Sequence, residues 1–399
     1  MLSENKLDRY SDVLIWAIKT ARKGSYRKND IFLIRYQLGA LKLAEILHAK
    51  LLDMGMNPVL RVGLTSGMER NFYEKANQRQ LVFHPPGEKR LYENLNGGIY
   101  LIAPDSLTHL KDVDPDKIGK TAISMKPFRD ILNKREEKGL FGWTLCLFPT
   151  QELAKKAGMT IKQYTAQVSR ACYLDKADPV QAWKSIYKDA ISIKRWLNGL
   201  DVKYLHIESK NMDLKISPGK KRRWVGISGH NIPSFEIFHS PDYRGTEGVY
   251  YADQPSYRSG NIVKGVRLRF KRGSVVKVEA KKGEAFIAKQ ATMDKGAGRV
   301  GEFSLTDKRF SRINRFMAST LYDENYGGPN GNCHLALGSS YSDSYDGDHA
   351  RLTKDRKEKL GFNDSALHWD LVNTEKKTVT AHLNSGKKIL IYDNGCFLY

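Results

Sequence analysis

Six side chains able to bind metal stand in short, dissimilar stretches between residues 236 and 370. Any fold that uses them together must return distant segments to one place. Glu236 closes Asn231-Ile232-Pro233-Ser234-Phe235-Glu236, and Glu302 closes Gly298-Arg299-Val300-Gly301-Glu302. His334 sits in Asn332-Cys333-His334-Leu335-Ala336-Leu337-Gly338, with Tyr341 just beyond, and His368 and Asp370 flank Trp369. Three carboxylates, two imidazoles and a phenol suit a pair of divalent cations with an activated water between them, which points to a hydrolase. Singly, each is weak evidence, because strand-end glutamates are mostly solvated and buried histidines mostly hydrogen-bonded. The His368-Trp369-Asp370 spacing is more specific, since residues two apart on an extended strand share a face.

The local contexts favour the same reading. Pro233 and Pro241 bracket Glu236 with stiff backbone. Gly301 lets the chain pass close to a site just before Glu302, and Gly338 allows a turn that brings Tyr341 back toward His334.

Composition offers a rival. The 399 residues carry a net charge of +22, which would attract phosphate backbones or anionic membranes. The basic runs Lys220-Lys221-Arg222-Arg223, Arg267 to Arg272 and Lys354 to Lys359 lack any zinc-finger spacing, RNP-like strand or heptad pattern, so they read as solvated faces. Cys146, Cys172, Cys333 and Cys396 form no CxxC pair and imply neither a thiolate zinc finger nor a disulfide framework. No stretch approaches the roughly 20 apolar residues of a membrane helix. The start of the chain, Met1-Leu2-Ser3-Glu4-Asn5-Lys6, leads into a charged amphipathic segment rather than a secretion core, so the expected location is cytoplasmic.

Periodicity predicts helices over 7–21 and 31–52, then strands near 58–63, 98–103 and 143–148 separated by helical stretches such as 115–138. Three more helices are expected around 151–157, 161–173 and 179–197. Beyond Asp201 short turn-bounded strands dominate. The expectation is an α/β protein of two domains, an N-terminal α/β layer over 1–200 and a C-terminal mixed α+β metal-binding domain over 201–399.

The ordered stretches resemble the thermophilic metallo-aminopeptidases of the aminopeptidase T type. They are Asn231-Ile232-Pro233 through Glu236 to Pro241, Glu247-Gly248, Lys281-Lys282-Gly283-Glu284, Gly296 to Glu302, Asp323-Glu324-Asn325, Cys333 to Gly338, Asn363-Asp364-Ser365 and His368-Trp369-Asp370. The likeness covers about the last two thirds of the chain well and the first third only in texture. It implies a pair of divalent metals, zinc or cobalt with manganese or magnesium as variants, that serves removal of N-terminal amino acids from peptides. The implied ligands are Glu236, Glu302, His334, Tyr341, His368 and Asp370, with Glu302 as the bridge. Tyr341 either ligates a metal or steadies the oxyanion, and Glu247 and Glu324 are read either as supporting or proton-transfer groups or as plain salt-bridge partners. The resemblance also implies a homodimer acting on peptide substrates, with neither membrane nor nucleic acid as partner.

Two features depart from the family pattern, the +22 charge and Phe235 immediately before Glu236, where a smaller residue is usual. The loop 342–349 is rich in ligand-type groups, and His349 reads as a loop residue there. Two alternatives stand beside the main reading. One is a basic nucleic-acid-binding protein on an inactive peptidase scaffold, and the other is a metal-dependent amidase or dipeptidase.

Overall fold

The apolar run Ile31-Phe32-Leu33-Ile34 forms the middle of a parallel sheet. In this computed structural model, which describes residues 2–399 apart from the side chain of Ala350, β1 (Ile31–Tyr36) pairs with β2 (Asn57–Val62) on one side. On the other side it pairs with β3 (Leu95–Ile102), which continues to β4 (Gly142–Leu147). Residues 31–36 are therefore strand, not the helix their spacing predicts. Phe32, Leu33 and Ile34 are buried in succession, as a strand covered on both faces requires, and such a run has no helical or alternating period to read. Helix begins only at Leu41 and runs to Asp53, burying Leu43, Ala44, Leu47 and Leu51. The helix Glu4–Ala21 buries Leu7, Tyr10, Val13, Leu14, Ala17 and Ile18 on one stripe, and the Tyr10 hydroxyl donates to the Leu147 carbonyl at 3.0 Å. Gly97 is required here, because a Cβ would lie 2.4 Å from the Phe32 ring.

The three helices expected after Pro149 are found at Gln151–Lys156, Ile161–Ala171 and Pro179–Asn198. The middle one starts in a capping box, with Thr160 accepting from the Gln163 backbone and the Gln163 side chain accepting in return.

Past Asp201 the chain is mostly antiparallel. It forms β5 (Val202–Ser209) and β6 (Asp213–Ile216), then adds β7 (Asn231–Ile232) to the outer edge of the parallel sheet beside β4. The strands β8 (Glu236–His239), β9 (Glu247–Ala252), β10 (Ser256–Arg258), β11 (Asn261–Val263), β12 (Val266–Lys271) and β13 (Ser274–Glu279) follow. After them come β14 (Val300–Thr306), β15 (Asn332–Gly338), β16 (His368–Asn373), β17 (Lys377–Leu383), β18 (Lys388–Asp393) and β19 (Cys396–Phe397). They make an eight-stranded sheet in the order β13-β12-β9-β6-β5-β17-β18-β19, a four-stranded sheet in the order β16-β15-β14-β8, and the hairpin β10-β11. The fold is thus mixed α/β, with one parallel sheet and separate antiparallel ones.

The chain divides into two units. One comprises the chain through Val113, Ile123–Tyr187 and Ile227–Ser234, and holds the parallel sheet. The other comprises Asp114–Ala122, Lys188–Gly226 and Phe235–Tyr399. The units interleave in sequence. No helix among the described residues is long and apolar enough to cross a membrane.

Candidate metal centre

Strand register alone places five of the six expected ligands on one face. In the four-stranded sheet Glu236 lies opposite Thr306, and Ser304 lies opposite His334. Glu302 and Asp370 both lie opposite Ala336, and His368 lies opposite Gly338. Paired residues of neighbouring strands point to the same side, so Glu236, Glu302, His334, His368 and Asp370 share a surface. Residues between them point the other way. Ile237, Phe303, Leu305, Leu335, Leu337, Trp369 and Leu371 are all at most 1% exposed and form an apolar core behind the site. Burying that layer, at about 25 cal/mol per Å2, fixes the register, because a one-residue slip would turn every ligand into the core.

Small side chains make the room. Ala336 separates Glu302 from Asp370, Ser304 stands beside His334, and Gly338 faces His368. Two glycines allow close backbone approach. A Cβ on Gly301 would lie 2.3 Å from the Ser339 carbonyl oxygen, and one on Gly338, at φ 103°, would lie 2.2 Å from that of Leu367. The ladder is irregular between Val300 and Glu302, where Gly301 is the extra residue, and from Glu302 onward the register is regular.

The side chains converge on the two imidazoles. His334 Nε2 lies 3.0 Å from Glu302 Oε1, 3.3 Å from Glu236 Oε2 and 3.9 Å from Asp370 Oδ1. His368 Nε2 lies 3.3 Å from Asp370 Oδ1 and 3.8 Å from Glu302 Oε2. Glu302 therefore turns one oxygen to each histidine, the disposition a bridging carboxylate needs. His368 Nδ1 donates to the Ser339 carbonyl at 2.9 Å, which leaves the Nε2 lone pair available to a cation.

The electrostatics are those of a cation site. Burial by itself lowers the His334 pKa, but the hydrogen bond to Glu302 and the charges of Glu236 and Asp370 raise it to about 9. Burial likewise opposes, and Asp370, Glu302 and the Ser339 carbonyl outweigh it, to hold His368 at about 9. Glu236 is raised, chiefly by burial, with the histidines opposing and Glu302 and Asp370 adding to the shift. Asp370 is held well below the usual range because His368, His334 and Arg258 overcome its burial.

The donor set fits divalent metal. Ligand atoms of Glu236, Glu302 and His334 all lie within 4.8 Å of one another. Glu236, Glu302 and His334 are no more than 6% exposed, and His334 Nδ1 has no hydrogen-bond partner among the described residues. Burying several carboxylates costs several kcal/mol each unless positive charge answers them. Two imidazolium ions answer part of it here, and dications of zinc type, which take carboxylate oxygen and imidazole nitrogen, would answer it fully.

The remaining expected residues divide. Tyr341 follows β15, donates its backbone N–H to Ser240 Oγ at 2.8 Å, and sets its ring at a tilt against that of His368, centroids 4.6 Å apart. The residue is 37% exposed overall, yet its phenol end is enclosed. That burial and the charges of Glu302, Asp370, Glu324 and Glu236 keep it protonated well above the usual range. Glu324 is buried at the end of the short helix Thr320–Asp323, and its carboxyl is raised by burial and by Glu236, Asp370 and Glu302. Glu247 stands apart. It is exposed on β9, in the eight-stranded sheet, and accepts from the Arg272 backbone, so the structure does not bring it to the cluster. His349 is outside the cluster too, its Nε2 3.3 Å from the Arg223 guanidinium.

Two supporting residues escaped the sequence reading. Arg258 on β10 donates to the His368 carbonyl at 2.6 Å, and Ser256 accepts from the Trp369 indole at 2.9 Å, so the β10-β11 hairpin clamps the ligand strand β16. Nothing in the local sequence distinguishes Arg258 from the other cations. The basic run at 220–223 proves partly structural. Arg222 donates to the carbonyls of Ser240, Lys220 and Leu360 and lies 3.4 Å over the Phe362 ring. Burial lowers its pKa to about 10.

A family model described as thermophilic metalloprotease (M29) matches residues 3–397. The chain belongs to this metalloprotease family. Among its relatives, aminopeptidase AmpS of Bacillus subtilis is 29% identical over 266 residues, which is 64% of this chain and 62% of that one. Aminopeptidase T of Thermus aquaticus is 28% identical over 305 residues, 72% of each chain. The aligned part is thus just under two thirds of the first relative's length. A solved structure, wild-type AmpT from Thermus thermophilus, superposes with a TM-score of 0.77 over 98% of this chain and 99% of its own. At 21% identity that likeness establishes a shared fold.

Proposed function

We propose that this M29 metalloprotease is an aminopeptidase that releases N-terminal amino acids from peptides with a pair of divalent cations, zinc or cobalt. The observation that carries the reading is Glu302, buried between His334 and His368 with one oxygen turned to each. Glu236 and His334 on one side, and His368 and Asp370 on the other, complete two half-sites that share Glu302. When bound there, the cations would lower the pKa of a shared water and polarise the scissile carbonyl.

The chain's own groups supply the proton traffic. Burial, with Glu236, Asp370 and Glu302 adding to it, holds the Glu324 carboxyl well above the usual range. That suits it to take the proton of the attacking water and to return it to the leaving amine. Tyr341 is held as the neutral phenol and can donate a hydrogen bond to the oxygen that gains charge as the carbonyl is attacked. Asp370, held ionised, can keep His368 aligned and receive the substrate's ammonium group, which would restrict cleavage to the chain's first residue. The homodimer implied by the family resemblance and the cytoplasmic location expected from the sequence belong to the same proposal. The test is release of free amino acid from a mixed peptide library by protein supplied with zinc, cobalt or manganese. N-terminally acetylated peptides should be inert, and no release from any free peptide overturns the proposal.

Metal binding should depend on pH in a definite direction. In the metal-free protein both histidines carry protons up to about pH 9, and a metal must displace them. Histidines raised in the folded state stabilise it fully below their unfolded value of about 6.5 and lose that contribution as pH rises through about 9. The chelated protein should therefore lose stability between about pH 7 and 9 while the metal-loaded protein does not. Calorimetry in this interval should show the gap between their melting temperatures widening with pH. A gap that narrows contradicts the assignment of these histidines as ligands.

A further inference from the structure

Asn325 is fully buried, yet it was drawn from the sequence only as part of the stretch Asp323-Glu324-Asn325 and has no ligand or proton-transfer role above. Its amide touches both sides of the site. Oδ1 accepts the backbone N–H of Phe235, the residue before the ligand Glu236, at 2.5 Å. Nδ2 donates to the Leu321 carbonyl at 3.0 Å and reaches Glu324 Oε1 at 3.4 Å. The segment that carries it is itself pinned. Asp323 accepts from the backbone of Met317 at 2.7 Å and Ser319 at 2.9 Å, and Thr306 Oγ1 donates to the Glu324 carbonyl at 3.2 Å. Thr306 is also the register partner of Glu236. Two chain segments far apart in sequence, 235–236 and 324–325, are thus joined by one side chain that holds an acceptor for the first and a donor for the second.

We propose that Asn325 is a positioning residue that fixes Glu324 relative to Glu236, setting the distance between the proton-transfer carboxyl and the metal ligands. The proposal rests on the aminopeptidase reading. The chemistry requires both ends of an amide. A buried backbone N–H left without an acceptor costs about 1–3 kcal/mol, so the Phe235 bond holds the entry of β8 in place. A carboxyl that loses one of its donors is held less firmly, and a shift of about 1 Å in a catalytic group can cost about a hundredfold in rate. Supporting partners of metal-site residues typically change affinity or activity by about 10–100-fold.

The two ends can be separated. N325D keeps an acceptor for Phe235 and loses the donor to Glu324. N325A loses both. N325D should bind zinc, measured by calorimetry, as tightly as the wild type, with kcat lowered about 10–100-fold and KM within about twofold. N325A should show the same fall in kcat and, in addition, about tenfold weaker zinc binding, because Glu236 loses its anchor. N325D keeps the acceptor for Phe235, and a melting curve of each variant separates lost function from lost fold. A wild-type kcat in N325D overturns the proposal, and so does weakened zinc binding in N325D, which would mark a general loss of structure. If the wild type releases no amino acid at all, the aminopeptidase reading has failed. The zinc affinities of the two variants still decide the positioning role, since equal affinities for both would overturn it.

Discussion

Replacing Glu302 by glutamine is expected to lower kcat at least about a thousandfold while leaving the fold intact. The carboxylate presents one oxygen to each of two imidazoles, 3.0 Å from His334 and 3.8 Å from His368. An amide of the same shape retains one oxygen and replaces the other by a nitrogen whose lone pair is delocalised and whose hydrogens repel a cation. One half-site would then lose its shared ligand and the pair its bridging charge. Cations of this kind supply several kcal/mol of transition-state stabilisation, and each 1.36 kcal/mol is about a factor of ten in rate, so the loss reaches about three decades. Burying a neutral amide costs less than burying a carboxylate, so the metal-free variant should melt no lower than the metal-free wild type. Steady-state kinetics on an aminoacyl amide and a melt in chelator check both parts. An E302Q enzyme within about tenfold of the wild type would remove Glu302 from the centre of the account.

Glu324→Gln is the second large effect, and it should fall on a different quantity. Glu324 belongs to the helix end at Thr320–Asp323 rather than to the ligand-bearing sheet, and it meets the cluster through charge. Its removal should leave metal content unchanged and lower kcat by about 100–10,000-fold, the usual contribution of a positioned acid or base. KM should change little, because the group acts on protons and not on the substrate's binding contacts. Metal analysis beside kinetics separates the outcomes. Loss of bound metal in E324Q would make Glu324 a ligand, and full activity would leave the proton transfer to another group.

The residues that cluster on one sheet face were legible as candidates because their signals are local. His368 and Asp370 stand two apart on a strand, Gly301 precedes Glu302 where a Cβ would strike the Ser339 carbonyl, and Gly338 ends β15 at a positive φ. Each is a rule about a few adjacent residues. The register that assembles them is not local. That Ala336 sits between Glu302 and Asp370 follows from three strands pairing across the stretch from 300 to 373, which no spacing displays. Glu247 shows the same limit. It lies in a family-like stretch beside Gly248, but the pairing of β9 with β6 and β12 carries it into the other large sheet, onto the exposed side. Residues 31–36 failed for another reason. Their run of buried apolar side chains is read equally well as helix or as doubly covered strand until neighbouring strands are known. Arg258 and Asn325 contact backbone atoms of His368 and Phe235, at sequence separations of 110 and 90, and although Asn325 lies in a family-like stretch, no spacing displays either contact. The +22 charge pointed toward nucleic acid, yet Arg222 spends its guanidinium on three backbone carbonyls inside the protein.

Metal content tests the central claim most directly. Protein stripped with chelator, reloaded with zinc or cobalt and freed of excess metal should hold two equivalents per chain, and E302Q no more than one at the same protein concentration. A wild type that retains no divalent metal, or one that saturates at a single equivalent with full peptidase activity, would contradict a shared two-cation site at Glu302.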